Sequence, residues 1–405
     1  MKTRYGVSPW IDGYPETRRP SFEPFRGDKT TDVVIVGGGL TGCAAAHALA
    51  AAGRKPLLLE AGRIGQGSAG RSAGLLLPEP GVPFRDLVGR HGLRSTRIVL
   101  DAWRKAAADA AALLRRTGIR CDAMAVDSVV AATLEHERQF RKDFDARQAA
   151  GIEGTFLDSR KLQQLVRASA AAASRGRGGH VLDPYAACVG LARAAVKKRA
   201  RIHEKSPVEK VEFGARDVRI TLRSGVITAS TVIVTTGLAT TLFKPLRRHF
   251  ERRERYAVLT EPVTAAVRKQ LFPGDLVLRV ERASAMQVRW TPDYRLVISG
   301  GDQDETPAAR RQQVLVQRTG QLMYELLTTY HAISGLRPEF GWDIAYGDTA
   351  DGLPYIGAHR NYPRHFFALG GNGYSVTDAF LAARVLTRAV LETPEKNDQV
   401  FGWTR

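Results

Sequence analysis

The chain has 405 residues, with 44% hydrophobic and 25% charged residues, 39 Gly, 19 Pro and 3 Cys. At roughly 100–200 residues per unit this length predicts two or three packed units, and an average composition with no apolar run near the ~20 residues of a bilayer crossing excludes a membrane-spanning or wholly disordered chain. The formal charge of +19 (60 Lys+Arg against 41 Asp+Glu) suits nucleic acid, anionic membrane or an acidic substrate.

Only 13 of those cations are Lys, and the Arg residues are dispersed among Ala, as a biased coding composition produces. The densest clusters, Lys197-Lys198-Arg199 with Arg201 and Arg247-Arg248 with Arg252, Arg253 and Arg255, lack interleaved aromatics. They read as solvated faces, and no nucleic-acid partner is expected. Cys43, Cys121 and Cys188 are odd in number and far apart, which supports neither a disulfide framework nor a metal site. The first twenty residues contain no apolar signal core, so the expected location is cytoplasmic.

Residues 1–31 carry Pro9, Pro15, Pro20 and Pro24 and read as an extended lead-in. Asp32–Val36 is a β-branched run read as a buried strand; an Ala-rich helix follows over about 42–52, with Gly53 placed to end it, and Pro56–Glu60 is the next strand. Helical spacing recurs over 95–117 and 134–150. Asp183-Pro184 opens another Ala-rich helix through about Arg199. Strand-like segments then run at 207–213, 218–222, 232–235, 256–260, 276–280 and 296–299, with a helix over 307–330. A glycine turn at 370–373 precedes a last helix over 375–391.

Gly37-x-Gly39-x-x-Gly42 sits between the first strand and its helix, and Glu60 follows eighteen residues after Gly42. The first glycine permits the tight turn, the second lets backbone approach a pyrophosphate, and the third lets the helix pack closely on the strand. The helix N-terminus then offers free N–H groups and a partial positive charge to the phosphates, and Glu60 is placed for ribose hydroxyls. An acid at Glu60 disfavours NADP and leaves NAD and FAD open. Gly370, Gly371 and Gly373 before the last helix form a second backbone donor site.

Further motifs resemble the FAD-dependent oxidoreductases of the D-amino-acid oxidase, glycine oxidase and sarcosine oxidase group, most closely the γ-glutamylputrescine oxidoreductase branch. Ile64 to Gly74 (IGQGSAGRSAG) is similar to the second Gly-rich segment of that family, Thr231–Gly237 (TVIVTTG) to its return strand, and Arg295–Gly301 (RLVISGG) to a substrate-domain strand. Trp342 followed by Asp351–Gly357 (DGLPYIG) and Leu369–Tyr374 (LGGNGY) resembles its closing flavin segment. The resemblance implies an α/β fold: a discontinuous Rossmann-like FAD-binding domain (32–84, 150–240 and 341–396) with an inserted α+β substrate domain (85–149 and 241–340) on a mainly antiparallel sheet. It places FAD along Gly37, Gly39, Leu40, Thr41, Gly42, Glu60 and Ala61, then Gly67, Ser68, Arg71 and Ser72. Val208 falls at the adenine, Thr236 and Gly237 on the return, and Gly371, Asn372, Gly373, Tyr374 and Ser375 at the closing turn.

The activity so implied is oxidation of a C–H bond next to an amine or amino-acid nitrogen, by hydride transfer to flavin N5 and hydrolysis of the imine, with oxygen or a quinone as acceptor. Relatives that tether their flavin use a Cys near the closing segment or a His near the second Gly-rich one. Neither stands here, so the FAD is expected to be noncovalent, with no metal. Arg337, in a Gly-Leu-Arg-Pro run lying 14 residues before Asp351, and Arg289 are candidate carboxylate clamps. Tyr374 is a candidate active-site aromatic, as are Tyr256 and Trp290. Two other readings stand beside this one: an FAD-dependent 2-hydroxy-acid or polyol-phosphate dehydrogenase, and a non-catalytic flavin-binding or RNA-associated subunit.

Overall fold

The computed structural model describes residues 2–168, 170–214, 216–281 and 285–405. An eight-stranded sheet holds the fingerprint strand Lys29–Val36 at its centre, between Gly225–Gly237 and Leu57–Leu59, with Tyr362–Leu369 and Arg201–His203 beyond, all parallel. Alternate residues of these strands bury on opposite faces. Val33, Ile35, Leu58 and Ile233 face the helices Leu40–Ala51, Pro184–Lys197 and Thr377–Val390, whereas Val34, Val36, Leu57, Leu59 and Val232 face a second layer with Phe243 and Leu246. Two faces covered by apolar residues explain the near-continuous hydrophobic runs of the sequence.

A ten-stranded sheet forms the other half. Its centre is a run of antiparallel pairs through Pro338–Asp348, Glu251–Thr260, Leu296–Asp304, Met286–Trp290 and Leu276–Glu281, continued by Met124–Ala132 and Ala172–Val181. One face packs Tyr256, Val258, Leu278, Val288 and Ile298 under the helix Arg311–Thr329. The opposite face, with Ala257, Leu259, Val277, Trp342 and Ile344, packs on Ala73, Leu75 and Tyr374.

The Rossmann-like half and the mainly antiparallel half agree with the fold class read from the sequence. The sheets part the chain at other places than the expected boundaries. Ala172–Val181 and Pro338–Asp348 pair in the ten-stranded sheet, and the long helix Phe84–Arg116 packs on Thr377–Val390 of the nucleotide half. Ala172–Val181 has no apolar alternation (AASRGRGGHV), which hid it; its partners on both edges supply the burial. The long helix begins eleven residues before the expected start because Gly92, at φ +74°, joins two helical segments. The lead-in contains a short helix, Pro9–Asp12, capped by Ser8. Among the described residues no helix is long and apolar enough to cross a membrane.

The closest approach of helix to sheet is at Gly42, where a Cβ would stand 1.9 Å from the Gly37 carbonyl oxygen. Gly42→Leu is expected to cost about 1–3 kcal/mol by overpacking, read as a lower urea midpoint of cofactor-free protein. Gly39→Ala, where a Cβ meets open space, should leave the midpoint unchanged, and equal midpoints for the two variants would refute this reading of the turn.

Candidate functional site

The fingerprint turn leaves the strand at Gly37, whose φ of +111° favours glycine and whose Cβ would meet the Thr235 carbonyl at 2.7 Å. Thr235 Oγ1 donates to the carbonyls of Val36 (3.2 Å) and Gly37 (3.0 Å), tying the turn to the neighbouring strand. The Glu60 carboxylate accepts from the N–H groups of Gly38 and Gly62, each at 2.7 Å, and so fixes the turn from the other side. Buried Glu204 repeats this one loop further, accepting from Ile64 N–H at 2.8 Å. Behind the turn, Cys43 and Cys188 approach to 3.7 Å between sulfurs and both donate to the Gly38 carbonyl at 3.6 Å.

A cavity of about 410 Å³ runs from this turn to the closing glycines. Gly37, Gly39, Leu40, Thr41, Glu60, Ala61, Gly67, Ser68, Ser72, Val208, Thr236, Gly237, Gly371, Gly373 and Ser375 all line it, so segments more than 300 residues apart meet there. Ser206, Tyr346, Gly347 and Asp378 line it as well and carried no sequence signal of that role. Among the described residues no cation lines it. Its fit to a pyrophosphate therefore rests on backbone N–H groups and the helix end, with Gly39 leaving room for close approach. The glycine cradle, Glu60 beside it and a lining that runs from the fingerprint turn to the closing glycines fit a dinucleotide.

Gly42 and Arg71 do not line the cavity. Gly42 seals the helix onto the turn. Arg71 is drawn under the ten-stranded sheet, where Nη1 pairs with Asp343 Oδ1 at 3.0 Å and Nη2 donates to the Gly6 carbonyl. Its segment is pinned on both sides: Trp342 Nε1 donates to the Arg71 carbonyl at 2.7 Å and Trp10 Nε1 to the Ser72 carbonyl at 2.9 Å.

A second cavity, also about 410 Å³, shares the closing segment with the first. Asn372 and Tyr374 face it, together with Arg90, Arg255 and Arg279 and the acids Asp86, Glu251 and Asp348. Arg255 is buried; it meets both Asp302 oxygens at 2.8 and 2.9 Å and donates Nη1 to the Gly373 carbonyl. Burial works against its charge, but Asp302 more than offsets this. Tyr346 donates to Asp302 at 2.8 Å, and burial, then Asp302, pushes its phenol up. Arg279 lies over the Tyr374 ring at 4.7 Å, donates to the Gly81 carbonyl at 3.0 Å and pairs with Glu281.

The candidate clamps fall elsewhere. Arg289 is 3% exposed and spends its donors on the carbonyls of Ala73 (2.6 Å), Trp290 (3.1 Å) and Leu182 (3.1 Å), so it braces the Gly74 segment. Burial lowers it to about 10. Arg337 is exposed just before Pro338–Asp348, about 30 Å along that strand from Gly347 at ~3.3 Å per residue. Neither lines either cavity. Tyr256 and Trp290 lie on the sheet face away from both cavities, in the layer under Arg311–Thr329.

Arg255 and Arg279 were legible in principle. Along Glu251–Thr260 and Leu276–Glu281 the even positions Tyr256, Val258, Leu278 and Val280 face the helix layer, so the odd positions face the nucleotide half, where Arg255 and Arg279 stand next to the apolar Ala257, Leu259 and Val277.

The profile described as "FAD dependent oxidoreductase" matches residues 32–389. The chain is 25% identical to the "Probable oxidoreductase OrdL" of Haemophilus influenzae, over 95% of its own length and 88% of that protein's. It is 24% identical to "Gamma-glutamylputrescine oxidoreductase" of Escherichia coli, over 93% and 87%. Its fold is shared with the crystal structure of glycine oxidase from Geobacillus kaustophilus, at TM-score 0.74 and 19% identity, covering 93% of this chain and 99% of that one. With the match spanning both sheets and the dinucleotide cavity between them, the chain belongs to the FAD-dependent oxidoreductase family, and its cofactor is FAD.

Proposed function

We propose that this chain oxidises the C–H bond beside the nitrogen of a carboxylate-bearing amine or amino acid held in the second cavity. The observation that carries this reading is the shared wall. Asn372 to Tyr374 divides a glycine-lined cavity, without a cation among its described lining residues, from one carrying three arginines and three acids. The names of two similar proteins, a γ-glutamylputrescine oxidoreductase and a glycine oxidase, support a nitrogen-bearing substrate. When bound, FAD would supply a two-electron acceptor for the hydride of that C–H bond, the amine being left as an iminium that water hydrolyses.

The protein's part is to bind, orient and exclude water. Arg279 is placed for the substrate carboxylate, since its guanidinium is held in the cavity wall over Tyr374. Arg255 is a positioning residue, tying Gly373 to the ten-stranded sheet through Asp302. The closing glycines and the start of Thr377–Val390 shape the end of the FAD cavity, with the N–H groups of Gly370 and Gly371 donating to the Gly237 and Gly347 carbonyls at 2.9 and 3.0 Å and so fixing the turn. Noncovalent binding is supported by the absence of Cys and His from the described lining of both cavities. Oxygen or a quinone is the proposed acceptor.

Arg90 and Arg279 would also suit a phosphate, so the discriminating experiment uses a panel. Purified yellow protein is mixed anaerobically with D-amino acids, N-methyl amino acids, polyamines, 2-hydroxy acids and glycerol phosphate, and bleaching of the visible band is followed. Bleaching by an amine is expected; bleaching by hydroxy acids or glycerol phosphate alone would replace the amine reading. Arg279→Met should raise the half-saturating concentration of a carboxylate-bearing amine about 10- to 100-fold through loss of a charge-assisted contact of roughly 1.5–3 kcal/mol, with little change for an amine lacking a carboxylate. Gly39→Val should fold yet purify colourless, because its side chain points into the cavity; a fully loaded variant contradicts that placement.

A further inference from the structure

We propose that Asp378 is the proton-accepting group of the FAD cavity, taking up one proton when the cofactor beside it gains negative charge on reduction. This rests on the larger cavity being the FAD site. Asp378 is in the first turn of Thr377–Val390 and lines the cavity where that helix meets the closing glycines. Its Oδ1 accepts the N–H of Ala379 at 2.8 Å. Its Oδ2 stands 2.5 Å from where a Cβ on Gly371 would be, so the carboxyl lies directly against the closing glycines.

No described charge compensates it. The closing helix packs against Leu40–Ala51, Phe84–Arg116, Tyr355–His359 and Tyr362–Leu369. The parts of these elements that line the cavity are Leu40, Thr41 and Ala368. On its own helix Arg384 pairs with Asp109 of Phe84–Arg116, and Arg388 with Glu395 and Asp398. Besides Asp378, the titratable side chains of the cavity are Glu60, bound to the fingerprint turn, and Tyr346, bound to Asp302. Two backbone N–H groups at a helix start favour the ionised carboxylate, yet burial outweighs them and raises Asp378 to about 7.

The balance is simple. Hydride transfer brings two electrons and one proton to the ring and leaves it one net negative charge. A carboxylate beside that charge takes a second proton from solvent, and reoxidation by the acceptor returns it. A new negative charge raises Asp378 further, so the extra uptake falls at and above about pH 7 and ends where the reduced-state value is passed.

The test is a potentiometric titration of wild-type holoenzyme from about pH 6 to pH 9, a range spanning the ionisation of such a carboxyl, with spectra of the reduced form recorded at each pH. Expected are two protons per two electrons over part of the range, while the reduced spectrum stays that of the anionic ring, and one proton per two electrons throughout for Asp378→Asn. The slope of midpoint against pH is thus about twofold steeper in wild type across that window. One proton per two electrons at every pH in wild type overturns the proposal, as does a steep segment that Asp378→Asn keeps or that coincides with protonation of the ring. Should Asp378→Asn fail to retain FAD, the wild-type slope and spectra decide alone. Protein that never binds FAD would instead remove the cavity assignment on which the proposal rests.

Discussion

A carbonyl oxygen 1.9 Å from where a side-chain carbon on Gly42 would sit is the tightest constraint in the nucleotide half. Because glycine stands there, the fingerprint helix starts directly over the end of its strand, and its free N–H groups face the mouth of the cavity. Glu60, Thr235 and the return strand hold that geometry by hydrogen bonds to backbone alone. Among the described residues no cation lines the cavity, so the phosphate site proposed there would rest on backbone N–H groups, and the closing glycines complete the lining from the far end of the sequence.

The distribution of charge follows from the same logic. Among the described residues of this +19 chain no cation lines the larger cavity, and buried or half-buried arginines serve as struts. Arg71 holds the second Gly-rich segment to Asp343, Arg289 ties three carbonyls, and Arg255 bridges Asp302 to Gly373. A planar guanidinium with five donors suits such joints between a sheet and a loop, where lysine offers only a point charge. The basic character of the sequence is in part this internal scaffolding.

The nucleotide half was readable because its signals are local: a β-branched run, three spaced glycines and an acid at the next strand end. The closing turn was readable for the same reason. The cavity arginines were harder to see, since the notable feature of Arg279 is the face it occupies, and that emerges only when neighbouring strands fix the register. Arg337 looked meaningful from its Gly-Leu-Arg-Pro surroundings, but a motif of four residues says nothing about which end of a strand lies near the ring. Ala172–Val181 was invisible because its burial comes from both flanking strands and not from its own pattern.

The sulfurs of Cys43 and Cys188 carry a practical corollary. The hydrogen bond with Cys188, then burial, pushes Cys43 well up, so its thiol stays uncharged behind Gly38, with Cys188 buried beside it. An alkylating reagent reaches them only after the fingerprint helix has lifted from Pro184–Lys197. Mass tagging at these two positions thus clocks the opening of the nucleotide loop, independently of colour or turnover.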